Sequence, residues 1–157
     1  MEVAFLAVAL LVALLVAVVV AGALLLWQRS RGVSVAAARA EFERRRAALE
    51  AQFFQAAAGS GKPRGLRWTR CEWDRDVVLA RDRRTGQLLA LVGVTIAFEA
   101  IPGSDMEDLP AVGNLRNASA VFFFDAGRWS TAGRAVFNLN PDEAIQHFGG
   151  QYERVES

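Results

Sequence analysis

QLLALVGVTIAFEAI, residues 87–101, is the stretch that decides how this chain folds. Val92, Val94, Ile96 and Phe98 fall on one face of an extended backbone. Leu89, Leu91, Thr95 and Glu99 fall on the other, so the period is two and the segment reads as a strand. At fifteen residues it is well beyond the usual strand length. Gly93 in its middle marks a bulge or a bend. A long, bent strand is what a sheet needs if it is to curl around a helix.

The sequence on either side supplies partners for that strand. Val77-Val78-Leu79-Ala80-Arg81 is a short strand, and Asp82-Arg83-Arg84-Thr85-Gly86 turns it back, with Gly86 suited to the left-handed position of a bulged hairpin. Upstream, Leu66 to Trp73 alternates and reads as a separate strand. Downstream, Pro102 to Asn117 is a loop with two prolines, two glycines and an acidic knot of Asp105, Glu107 and Asp108. Ala118–Asp125 and Arg128–Leu139 form a second predicted hairpin across Ala126-Gly127. Asn140-Pro141-Asp142-Glu143 then opens a short C-terminal helix, with Asn as cap, Pro at the first position and Glu at the third. Ala144, Ile145 and Phe148 are its inward face.

Ahead of the sheet, Val33–Ala58 is a predicted helix, capped by Ser34, ended by Gly59 and filled with Ala, Glu, Arg, Leu and Gln. Phe42, Leu49 and Phe53 lie on or beside one stripe. They supply either a dimerising stalk or, as favoured here, the cover for the sheet's apolar face. Gly59-Ser60-Gly61-Lys62-Pro63-Arg64-Gly65 is a linker. Its likeness to a phosphate loop fails, because Pro63 stands where Ser or Thr is required and no strand precedes it.

The first 28 residues are of another kind. Val3–Trp27 carries no charge, no Pro and no polar side chain. As a helix it spans about 37 Å, enough to cross a bilayer core of about 30 Å, and it reads as a single transmembrane anchor. Trp27 suits the headgroup zone, and Arg29 and Arg31 halt transfer on its far side. No Lys or Arg precedes the helix, so the N-terminus is expected outside and the rest of the chain in the cytoplasm. Ala9, Ala13, Ala17 and Ala21 recur every fourth residue, a small-residue stripe that permits a weak parallel homodimer in the bilayer. The organisation expected is thus an anchor over 1–28, a juxtamembrane helix and linker over 29–65, and a sheet domain over 66–157.

Charge follows the same division. The 157-residue chain is close to neutral at +1. Yet Gln28–Arg70 holds ten basic residues against three acidic, and Cys71–Ser157 eight basic against thirteen acidic. The basic part adjoins the membrane, where anionic lipid accounts for it; a nucleic-acid partner, which wants a basic domain face, is not expected.

In order of elements, Val33–Leu139 resembles the cystatin-like and nuclear-transport-factor-like folds, an α+β plan with one helix laid across a curled sheet of four or five antiparallel strands. The resemblance is one of layout, and such folds serve both enzymes and plain binding modules.

Candidate chemistry is sparse. His147 is the lone histidine, placed i,i+4 from Glu143, and Cys71 the lone thiol, so no metal set and no cofactor are expected. Asp105, Glu107 and Asp108 lack calcium-loop spacing. Trp68, Trp73 and Trp129 can line a ligand cup, cover a partner surface or fill the core. Two functions follow. The first is a membrane-anchored, non-enzymatic cytoplasmic interaction or scaffolding domain with a protein partner. The alternative is a small ligand-binding or enzymatic cup of the nuclear-transport-factor-like type, using Glu99, Asp105 or His147 as acid or base.

Overall fold

The computed structural model describes residues 14–22 and 35–156 of the chain. The chain divides into two units, Met1–Ala37 and Ala38–Ser157. In the first, residues 14–22 are helical. The remainder of the expected anchor lies outside the described residues, together with Trp27, Arg29, Arg31, Ala9 and Ala13. No helix among the described residues is long and apolar enough to cross a membrane.

The second unit is α+β. Helix α1 (Val35–Gly59) leads into strands β1 (Leu66–Asp82) and β2 (Leu88–Ala100), a 3₁₀ turn (Pro110–Gly113), and strands β3 (Arg116–Asp125), β4 (Arg128–Ser130) and β5 (Ala135–Phe137). Helix α2 (Pro141–His147) and strand β6 (Tyr152–Arg154) end it. The antiparallel sheet has the order β4-β3-β2-β1-β6, and β5 also pairs with β3. It has six strands where four or five are expected, because the C-terminal Tyr152–Arg154 joins β1 at Ala80–Asp82.

Helix α1 forms because nothing between Val35 and Ala58 interrupts it, neither Gly nor Pro. Glu41 pairs with Arg44, and Arg46 pairs with Glu50 at 2.8 Å. Ala38, Phe42, Leu49, Phe53 and Ala57 form its buried stripe, and Phe42, Leu49 and Phe53 are 0% exposed. The helix is therefore packed on its own domain, and the stalk reading of Phe42, Leu49 and Phe53 is set aside. Phe42 meets Phe122 and Trp129 edge to face at 5.1 and 5.2 Å between centroids. Phe53 meets Trp73 at 5.3 Å and Trp68 at 6.1 Å. Trp129 Nε1 donates to the Ala38 carbonyl at 2.7 Å, which fixes the start of the helix above β4.

The sheet is covered on both faces, which explains why Leu88–Val94 is buried without a break. Ala90 and Val92 share a face with the residues under α1. Leu89 and Leu91 join Val78, Ala80, Val121, Ala144, Ile145 and Tyr152 in a second cluster under α2. Helix α2 starts at the expected capping box: Asn140 Oδ1 accepts from Glu143 N, and Glu143 Oε2 accepts from Asn140 N, each at 2.9 Å.

Two strands depart from the expected pattern. Leu66–Trp73 and Val77–Arg81 are one strand of 17 residues, interrupted by a bulge and not by a turn. Conversely, Arg128–Leu139 is broken into β4 and β5. Gly133 (φ 71) passes so close beneath α1 that a Cβ there would come within 2.3 Å of the Ala57 backbone nitrogen. The gap in the ladder is closed locally. Thr131 Oγ1 donates to the Val121 carbonyl at 3.0 Å, and Val121 N donates to the Arg134 carbonyl at 3.0 Å.

Phe53 tests the docking of α1. Phe53→Asp either buries an unpaired carboxylate or lifts the helix, so a loss of about 4 kcal/mol or more is expected in urea or thermal unfolding. A change of about 0.5 kcal/mol or less, typical of an exposed position, would contradict the docking.

Candidate functional site

A cavity lies on the α2 face of the sheet, away from α1. It measures about 450 Å³ and is bounded by the β1 bulge on one side and α2 on the other. A neighbouring hollow of about 190 Å³ shares Asp74, Gly93 and Asn140 with it and extends over Thr95 and Asn117. Together they form a polar groove where α2 stops covering the sheet.

The groove is a product of the bulge. Trp73 is registered with Val94 and Val77 with Val92, so Asp74, Arg75 and Asp76 stand opposite Gly93 alone. Three residues against one would splay the strand unless something held their backbone. Arg46 of α1 does so: its guanidinium donates to the carbonyls of Asp74 and Arg75, the latter at 2.6 Å, and it is steadied by Glu50. A Cβ on Gly93 would lie 1.9 Å from Asp74 Oδ2. The Asp74 carboxylate thus occupies the volume of the side chain that residue 93 lacks. Gly93 marks the place of the bulge, but the extra residues sit on its partner strand.

On the α1 side the sheet is filled by rings. Trp68 and Trp129 are buried and Trp73 is half-buried, all three in ring contact beneath the helix. Phe53 also meets Phe122 at 5.9 Å, and Trp68 stacks edge to face on Phe98 at 5.1 Å.

The remaining residues singled out from sequence do not converge. Glu99 is exposed and paired with Arg67 at 2.8 Å. In the loop after β2, Asp105, Glu107 and Asp108 are exposed, and Glu107 Oε2 accepts from Gly103 N at 2.7 Å. His147 is exposed at the end of α2, edge-on to Phe148 at 4.8 Å. Ala17 and Ala21 are exposed on the helical stretch of the first unit. Cys71 is half-buried, and burial raises its thiol to about 11, which keeps it protonated and unreactive near neutral pH. Among the described residues no three His, Cys, Asp or Glu side chains are grouped so as to hold a metal ion. Sequence reasoning missed Asp74, Asp76, Asn140 and Arg46. The only local signal for them was Gly93.

No family model, curated protein or solved structure matches this chain.

Arg46 is the residue on which the bulge depends. Arg46→Met keeps the stem and removes the donors, and a loss of about 1 kcal/mol is expected from charged hydrogen bonds to two carbonyls of the exposed bulge. Amide exchange at residues 74–76 should accelerate in the same variant. If both stay at the wild-type level, the bulge is held by something other than the guanidinium.

Proposed function

We propose that this chain is a membrane-anchored, non-enzymatic interaction module, with Val3–Trp27 as a single transmembrane anchor and the α+β domain on the cytoplasmic side. One observation carries the reading. Residues 14–22 are helical, and Leu14, Leu15, Val16, Val18, Val19 and Val20 are 51–68% exposed. A helix apolar on every side calls for an apolar medium. The uninterrupted run on both sides of it has the length of a bilayer span.

The interaction role rests on what the second unit offers. Its α1-covered face is packed with rings, and its titratable groups are dispersed over loops and edges. The domain therefore has the character of a surface for docking. The groove beside α2 supports a second reading, a polar ligand site, in which Asp74 and Asn140 are the groups at hand. A weak parallel homodimer through Ala9, Ala13, Ala17 and Ala21 is compatible with the first reading.

Alkaline carbonate extraction of membranes carrying the full chain tests the anchor. The protein is expected in the pellet, and Leu15→Arg with Val19→Arg is expected to move a large share to the supernatant, since a charge at mid-bilayer costs about 3 kcal/mol. Recovery of the wild-type chain in the supernatant would overturn the proposal.

A further inference from the structure

The last 87 residues carry more acid than base, yet the fold gathers several of their arginines at one end. Trp129, Phe124, Leu88, Arg81 and Glu153 form a single cross-strand row through β4, β3, β2, β1 and β6. The start of the domain's chain, Ala38, is hydrogen-bonded to Trp129 on that row. Everything beyond the row therefore belongs to the end where the chain enters. Two turns project there, Arg83-Arg84-Thr85-Gly86 and Asp125-Ala126-Gly127-Arg128, and all four charged residues named in them are exposed. With strands about 4.8 Å apart, the centres of the two turns are about 10 Å from each other.

Exposed arginines outnumber exposed acids in these turns and their row by three to two. Arg84 and Arg128 make no ion pair among the described residues, and Arg83 reaches Glu153 only at 4.0 Å between exposed side chains. Asp125 and Glu153 are the exposed acids. Asp82 is turned inward, where Oδ1 accepts from Arg84 N and Thr85 N at 2.9 Å and Oδ2 accepts from Gln151 Nε2 at 3.0 Å. Arg81 is directed back onto the turn, donating to the Gly86 carbonyl at 2.9 Å. The opposite end bears Asp105, Glu107 and Asp108 beside Lys62, Arg64, Arg67 and Arg116, and α1, about 37 Å long, separates the two ends.

We infer that the two turns form a lipid-docking surface, with Arg83, Arg84 and Arg128 resting on the anionic headgroups of the leaflet that holds the anchor. This rests on the anchored reading above. The chain enters the second unit at this end, and the seven residues 28–34, even fully extended, span at most about 24 Å. Within a Debye length of about 8 Å each arginine favours the docked state about fivefold. The surface orients the domain, leaving the groove and the acidic loop accessible to a partner.

The test uses the full chain in nanodiscs, with Cys71→Ala and a fluorophore on Thr85→Cys or, as control, on Asp105→Cys. Quenching by a headgroup-labelled lipid is read in discs of phosphatidylcholine with phosphatidylserine and of phosphatidylcholine alone. Strong quenching at position 85 but not at 105, lost in neutral discs, is expected. Arg83→Gln with Arg84→Gln should lower the docked-to-undocked ratio about thirtyfold, while Lys62→Gln with Arg116→Gln at the far end leaves it unchanged. Equal quenching at both positions, or indifference to phosphatidylserine in the wild-type chain, overturns the docking surface while the anchor stands. Failure of the chain to enter discs at all overturns both.

Discussion

Everything in the second unit depends on two phenylalanines of one helix being driven into a cluster of rings on a sheet. Phe42 and Phe53 are fully buried, and between them they touch Phe122, Trp129, Trp68 and Trp73. Each such edge-to-face pair adds about 0.5–1.5 kcal/mol beyond area burial. Without the helix, these aromatics and the row Ala90, Val92, Val94 would face water. The close approach of α1 also sets details elsewhere: it requires glycine at 133, and it divides the strand after Ala126-Gly127 in two.

The same helix shapes the opposite face of the sheet at a distance. Arg46 lies on its flank and holds the β1 bulge by the backbone. That bulge delivers Asp74 through the gap left by Gly93 onto the α2 face, where the groove begins. A helix on one side thus fixes the geometry of a polar hollow on the other. Helix α2, only seven residues long, covers the remaining apolar patch around Val78, Ala80, Leu89 and Leu91 and stops at the groove's edge.

Much of this architecture is legible in the sequence. The alternation of residues 87–101, the glycine that marks the bulge, the turn at Asp82–Gly86, the capping box at Asn140 and the apolar stripe of Phe42, Leu49 and Phe53 are local signals, and each has its counterpart in the fold. What is not legible is long-range. Asp74-Arg75-Asp76 reads as a break between two strands because three charged residues in a row resemble a turn; a guanidinium 28 residues upstream holds them as a bulge within one strand. Nothing near Gly133 announces that the Ala57 backbone will press on it. Tyr152–Arg154 is too short to declare itself a strand before β1 offers an edge. The groove was invisible for the same reason: its walls come from β1, β2, β3 and the start of α2, and no one of them carries a chemical motif. The residues that stood out in sequence, the tryptophans and the acidic loop, did so by composition, and composition does not say which of them meet.

The central claim is that α1 and the sheet are one cooperative body and not a stalk carrying a domain. Native-state hydrogen exchange on the full chain, followed with increasing urea, tests it most directly. The account expects amides of α1 from Phe42 to Ala57 to open together with those of β2 and β3, at one common free energy. Exchange of the α1 amides at a far lower free energy, with β2 and β3 still protected, would contradict it.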